Sequence, residues 1–93
     1  MFRVVLRSRF ERVFARLDAS VQQELVRELE RLARDPFAHP HVRRLVGTST
    51  ASYRLRVGRW RVLYFLLTEQ RTIEVIDVFL KKSKADYSRR GRR

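Results

Sequence analysis

Four arginines stand close together in the stretch YRLRVGRWRVLYF, residues 53–65: Arg54, Arg56, Arg59 and Arg61. No acidic residue lies among them. A guanidinium is always charged and can hold two oxygens of one phosphate at once. A second basic group follows at Lys81, Lys82 and Lys84, with Tyr87 just beyond. Together these residue types suit cleavage of RNA by its own 2′-hydroxyl. That reaction needs the hydroxyl deprotonated, the extra charge on phosphorus stabilised and the leaving 5′-oxygen protonated. Arg56 and Arg61 can clamp the phosphate and stabilise the transition state. Lys81, Lys82 or Lys84 can be acidified by the surrounding positive field, and Tyr87 can move a proton or stack on a base. Arg54, Arg59, Lys82 and Lys84 then serve as RNA-binding residues. The plainer use of the same pattern is a solvated sheet face followed by a solubilising tail.

The arginines need a rigid support, and the residues between them supply it. Arg54 and Arg56 alternate with Tyr53, Leu55 and Val57, while Trp60 and Val62 flank Arg61. In a strand, alternation sends neighbours to opposite faces. The spacing predicts strands over about 52–57, 60–67 and 72–80, joined at Gly58-Arg59 and at Thr68–Arg71. The last strand, TIEVIDVFL, is apolar on nearly every position and belongs in the interior of the sheet. Trp60, Tyr64 and Phe65 read as core or rim rather than as base-stacking platforms.

Upstream, FRVVL (residues 2–6) reads as an opening strand. Ser8 with Glu11, and later Ser20 with Gln23, have the spacing of capping boxes. Phe10, Val13, Phe14 and Leu17 then share one helical face. Val21, Leu25, Leu29 and Leu32 share another, widened by Val26 and Ala33. The segment 35–42, DPFAHPHV, is a loop broken by Pro36 and Pro40. Its two histidines, His39 and His41, have only Asp35 nearby as a further ligand. They read as solvated loop residues out of reach of the strands, and neither a metal nor a cofactor is expected. Residues 43–46 read as a short extended segment.

The expected fold is α+β, with the order β-α-α-β-β-β. A helical hairpin packs on one face of a small antiparallel sheet, and the arginines belong on the other face. Ninety-three residues make one domain, assigned to residues 1–88, with 89–93 a basic, disordered tail. The formal charge is +12, and residues 81–93 alone carry seven basic groups against one acidic. So positive a field favours nucleic acid first, an acidic protein second and an anionic membrane surface third. The absence of cysteine fits a reducing compartment. The N-terminus has arginines where a signal peptide would be apolar, and the expected location is the cytoplasm.

This order and the second half of the chain resemble the RelE/ParE superfamily of bacterial toxins from type II toxin–antitoxin systems. The resemblance is carried by Arg44-Leu45-Val46-Gly47, by Tyr53 to Gly58 followed by Trp60-Arg61-Val62-Leu63-Tyr64, and by Val78-Phe79-Leu80-Lys81-Lys82-Ser83. The last segment is similar to the HigB-like branch. The resemblance implies an endoribonuclease that cleaves messenger RNA, commonly on the ribosome. It implies catalytic roles for Arg56, Arg61, Lys81 and Tyr87, with Arg54 matching a further basic position. It also implies an antitoxin partner, acidic or DNA-binding. The chain departs from those relatives that carry lysine at the positions matching Arg54 and Arg56, since arginine keeps the charge but does not give up its proton. The same superfamily includes ParE-type inhibitors of DNA gyrase that cut no RNA. A non-catalytic nucleic-acid-binding module is the third reading.

Overall fold

The computed structural model describes residues 1–45 and 52–81. Its elements are β1 (Arg3–Leu6), α1 (Ser8–Phe14), α2 (Ala19–Arg34), β2 (Val42–Arg44), β3 (Ser52–Val57), β4 (Trp60–Leu67) and β5 (Thr72–Leu80). The strands form one sheet in the order β1-β5-β4-β3-β2. β3, β4 and β5 make the antiparallel meander that the alternation predicts, and the fold is α+β. The sheet as a whole is mixed rather than antiparallel. β1 runs parallel to β5, with Arg3 opposite Thr72 and Leu6 opposite Val75. A hairpin fixes the direction of its second strand, but β1 and β5 are separated by most of the chain and no turn sets their relative direction. β2 adds an antiparallel edge beside β3. With three residues and a single apolar one, it shows no apolar alternation.

The turns follow from local chemistry. Gly58 has φ +59, as the first central residue of a type II′ turn requires, and joins β3 to β4 in two residues. Between β4 and β5, Arg71 N–H donates to the Thr68 carbonyl at 3.0 Å, and Arg71 takes φ 49.

The helix starts differ from the sequence expectation. Neither capping box forms: the N-caps are Arg7 and Asp18, and neither makes a side-chain cap bond. Sheet pairing sets the first start instead. Arg7 N–H donates to the Val75 carbonyl at 2.9 Å and its guanidinium pairs with Glu74, so the chain turns into α1 where β1 leaves β5. At the second, Gln22 Nε2 donates to the Phe14 carbonyl at 2.7 Å, which ties the end of α1 to the first turn of α2.

Phe10 of α1 and Leu25, Leu29, Leu32 and Ala33 of α2 pack into one core with Leu55, Val57, Val62, Tyr64, Ile73, Val75 and Val78 of the sheet. Val26, expected to widen the α2 face, is instead 44% exposed. Burying each such aliphatic side chain contributes about 1.5–3 kcal/mol. Tyr64 lies wholly in this core, stacked on Tyr53 at 5.6 Å between centroids. No described helix is long and apolar enough to cross a membrane.

One irregularity decides which residues of β5 face the core. Leu63 stands opposite Asp77, but Tyr64 stands opposite Val75, leaving Ile76 as an extra residue. This β-bulge shifts the alternation by one position. Ile73, Val75 and Val78 reach the core, whereas an unbroken alternation would have sent Asp77 there. Asp77 instead pairs with Arg9 at 3.1 Å. The same shift puts Phe79 opposite Arg61.

Candidate functional site

The register stacks the basic side chains into two cross-strand rows. Arg43 of β2 stands opposite Arg54 of β3, and Arg56 of β3 stands opposite Arg61 of β4, which in turn faces Phe79 of β5. Residues directly opposite in a sheet share a face. Leu55, Val57, Val62 and Val78 alternate with them and are buried. The arginines thus lie on the face away from the core, as their spacing predicts.

The second row has a further member. Arg56 N–H donates to the His41 carbonyl at 2.9 Å, continuing the ladder one step past β2. His41 therefore stands beside Arg56, and Arg56 Nη2 lies 2.8 Å from His41 Nδ1. Pro40, His41, Arg43, Arg54, Arg56, Arg61, Phe79 and Lys81 line, with Val42, a cleft of about 580 Å³. Five of these carry fixed positive charge, and no described lining residue is acidic.

Arg61 is 9% exposed and forms the floor of this cleft. Its Nη1 donates to the carbonyls of Gly58 at 3.0 Å and Trp60 at 2.9 Å. The β3–β4 turn therefore fixes the position of this charge. Arg56 is exposed above it. Lys81 follows β5, and its N–H donates to the Arg59 carbonyl at 2.9 Å, which holds the end of β5 against the same turn. Arg59 is exposed at the turn itself and is not among the residues that line the cleft. Lys82, Lys84 and Tyr87, with residues 89–93, lie outside the described residues.

The histidines correct the sequence reading. His39 is buried, with its ring Nε2 2.7 Å from Glu28 Oε1 on α2 and its Nδ1 accepting the His41 N–H at 3.1 Å. It is a structural brace rather than a solvated loop residue. His41, expected to fall short of the strands, reaches the arginines. Proline on its N-terminal side reads as loop, which hid the strand pairing that follows it. Among the described residues no group of three His, Cys, Asp or Glu is placed to hold a metal ion.

Arg43, His41 and Phe79 line the cleft without having been singled out from the sequence. A signal for the first two exists: His41 and Arg43 repeat the two-residue spacing of Arg54 and Arg56, the same-face spacing of a strand.

Comparison with known proteins bears on what such a face belongs to. The sequence matches the family described as the ParE toxin of the type II toxin–antitoxin system parDE over residues 4–84. No curated protein sequence matches the chain. Similar solved structures include RelE from the archaeal RelE–RelB complex of Pyrococcus horikoshii, with 21% identity, 85% of this chain and 93% of that chain covered, and a TM-score of 0.76. The isolated RelE toxin of E. coli has 19% identity, covers 99% of this chain and 97% of that chain, and gives a TM-score of 0.73. A YoeB/ParE toxin from Agrobacterium tumefaciens has 19% identity over 87% of this chain and 100% of that chain, also at 0.73. At these identities the structural likeness establishes the fold, which is RelE-like. The family match spans nearly all of the elements: the chain belongs to the ParE toxin family of type II toxin–antitoxin systems, within the RelE/ParE superfamily.

Proposed function

We propose that this toxin is an endoribonuclease that cleaves messenger RNA on the ribosome, with the cleft between β2 and the end of β5 as its active site. The observation that carries the reading is the opposition of like charges on the open face. Arg43 faces Arg54 and Arg56 faces Arg61. Like charges directly opposite in a sheet are destabilising, and a local rule broken twice at one place marks a site. A bound phosphate removes the conflict.

In this reading Arg56 and Arg61 hold the scissile phosphate and stabilise the charge that develops on it. Arg61, buried and fixed by two turn carbonyls, needs little reorganisation to do so. Lys81 stands at the same cleft and gives its proton to the leaving 5′-oxygen. Arg54 and Arg59 hold neighbouring phosphates, with Lys82 and Lys84 as further RNA-binding residues and Tyr87 as a further catalytic one. The neutralising partner is an acidic or DNA-binding antitoxin whose chain covers this face.

The family match supports a second reading, an inhibitor of DNA gyrase that cuts no RNA. One experiment separates the two. Induced alone in a bacterial host, the toxin is expected to arrest growth and leave new ends in messenger RNA. Arg56→Ala, at an exposed position, is expected to lower cleavage about 100- to 1000-fold. Intact messenger RNA with relaxed or broken plasmid DNA overturns the nuclease in favour of gyrase.

A further inference from the structure

The chain has two histidines, and they are wired in series. His39 Nδ1 accepts the His41 N–H, so its ring proton sits on Nε2 and is donated to Glu28. Glu28 Oε1 is also 3.6 Å from Arg31 Nη1. This brace fastens the loop between α2 and β2 to the helix and fixes the backbone of His41. Beyond it, His41 presents Nδ1 to Arg56. A guanidinium has donors and no acceptor. Nδ1 is therefore the acceptor, its lone pair directed at an arginine that lines the cleft.

Resting on the nuclease reading above, we propose that His41 is the general base of this toxin, its Nδ1 lone pair held by Arg56 until a phosphate draws the guanidinium away. Neither arginine nor the lysine ammonium has a lone pair to offer, whereas a neutral imidazole does, and imidazole is the side chain suited to proton transfer between pH 5 and 8. The ribose 2′-hydroxyl beside the scissile phosphate gives its proton to Nδ1. The 2′-oxygen forms a bond to phosphorus, the bond from phosphorus to the 5′-oxygen breaks, and that oxygen takes a proton from the Lys81 ammonium. The products are a 2′,3′-cyclic phosphate and a 5′-hydroxyl. The coupling makes the base available only when a phosphate is in place, and it requires a 2′-hydroxyl, which DNA lacks.

Among the described residues, the charged and titratable groups around His41 are Arg43 of β2, Arg54 and Arg56 of β3, Arg61 of β4, Lys81 after β5, and His39 with Glu28 behind it.

The test is single-turnover cleavage of messenger RNA on programmed ribosomes by the full chain, from pH 5 to 8. The wild-type rate is expected to rise with pH to a plateau. His41→Asn keeps a side-chain acceptor for Arg56 but has no base. It should cleave about 100- to 10,000-fold more slowly and lose the rise with pH. Its melting temperature and its binding of the same RNA carrying a 2′-deoxynucleotide at the cut site should be unchanged. His39→Gln retains a donor for Glu28 and should keep the rise. If His41→Asn cleaves at the wild-type rate with the wild-type profile, or if the rise vanishes with His39 instead, the proposal is wrong and the nuclease reading stands. If His41→Asn loses binding of the uncleavable RNA as much as cleavage, His41 merely positions Arg56. If the wild type leaves messenger RNA intact, both the nuclease reading and this proposal fall.

Discussion

The β3–β4 hairpin has two faces built on one period and opposed in their energetics. On the core face Leu55, Val57, Val62 and Tyr64 are each at most 3% exposed and meet the helices. On the other face Arg54, Arg56 and Arg61 stack like charges across the strands. The first face stabilises the fold and is chemically inert. The second sets Arg54 opposite Arg43 and Arg56 opposite Arg61, a like-charge register that the first face supports. Stability and activity should therefore separate between adjacent residues of one strand.

Leu55 and Arg56 give the largest contrast. Leu55 is fully buried, and Leu55→Ala is expected to cost about 2–5 kcal/mol from lost transfer energy and the cavity left behind. Arg56 is exposed, and Arg56→Ala should change stability by less than about 0.5 kcal/mol while removing most of the cleavage. Urea unfolding midpoints and cleavage rates corrected for the folded fraction would measure both. A large loss of stability in Arg56→Ala would show that the open face is also structural and would break the comparison.

A smaller effect tests the core face alone. Among the described residues the Tyr64 hydroxyl is buried without a hydrogen-bond partner. Burial, and secondarily its neighbour Tyr53, pushes its pKa well above the ordinary tyrosine value. The sign follows from linkage. The unfolded tyrosine releases its proton near pH 10, while the folded one keeps it, so stability is full below pH 10 and falls as pH rises beyond it. Tyr64→Phe should be neutral or stabilising by about 1 kcal/mol at pH 7, because it removes an unpaired hydroxyl. It should also unfold less steeply with alkali than the wild type. Equal alkaline sensitivity in the two proteins would show that Tyr64 is not the group responsible.

These contrasts also mark what the sequence made legible. The hairpin was readable because its apolar and basic positions alternate without a break from Tyr53 to Val57, with glycine at the one turn position that needs positive φ. The amphipathic helices were readable for the same reason at period 3.6. The bulge at Ile76 was not, because Ile73, Val75, Ile76, Val78 and Phe79 are apolar on both sides of it, and a one-residue phase shift leaves no trace in such a run. It nevertheless decides that Phe79 rather than Val78 borders the cleft. The capping boxes failed because tertiary hydrogen bonds at Arg7 and Gln22 fixed the helix starts more firmly than a local motif could. His41 was hidden by Pro40 and by the brevity of β2. The brace behind it joins His39 to Glu28 on another element, a contact that no local pattern announces.

The smallest effect is the sharpest test of the like-charge argument. Arg43 is exposed, at the edge of the sheet, directly opposite Arg54. Arg43→Glu replaces a repulsive pair with an attractive one and leaves the core untouched. Cross-strand pairs of opposite charge contribute about 0.2–1 kcal/mol, so the variant should be more stable than the wild type by roughly that amount at low salt. The gain should shrink as salt screens the pair. RNA affinity should fall at the same time, and the salt dependence of binding should become shallower because fewer counterions are released. A variant that binds RNA less well without becoming more stable would mean that the opposed arginines cost the fold nothing. The open face would then be an ordinary solvated surface, and its charge would no longer distinguish it from the rest of this basic chain.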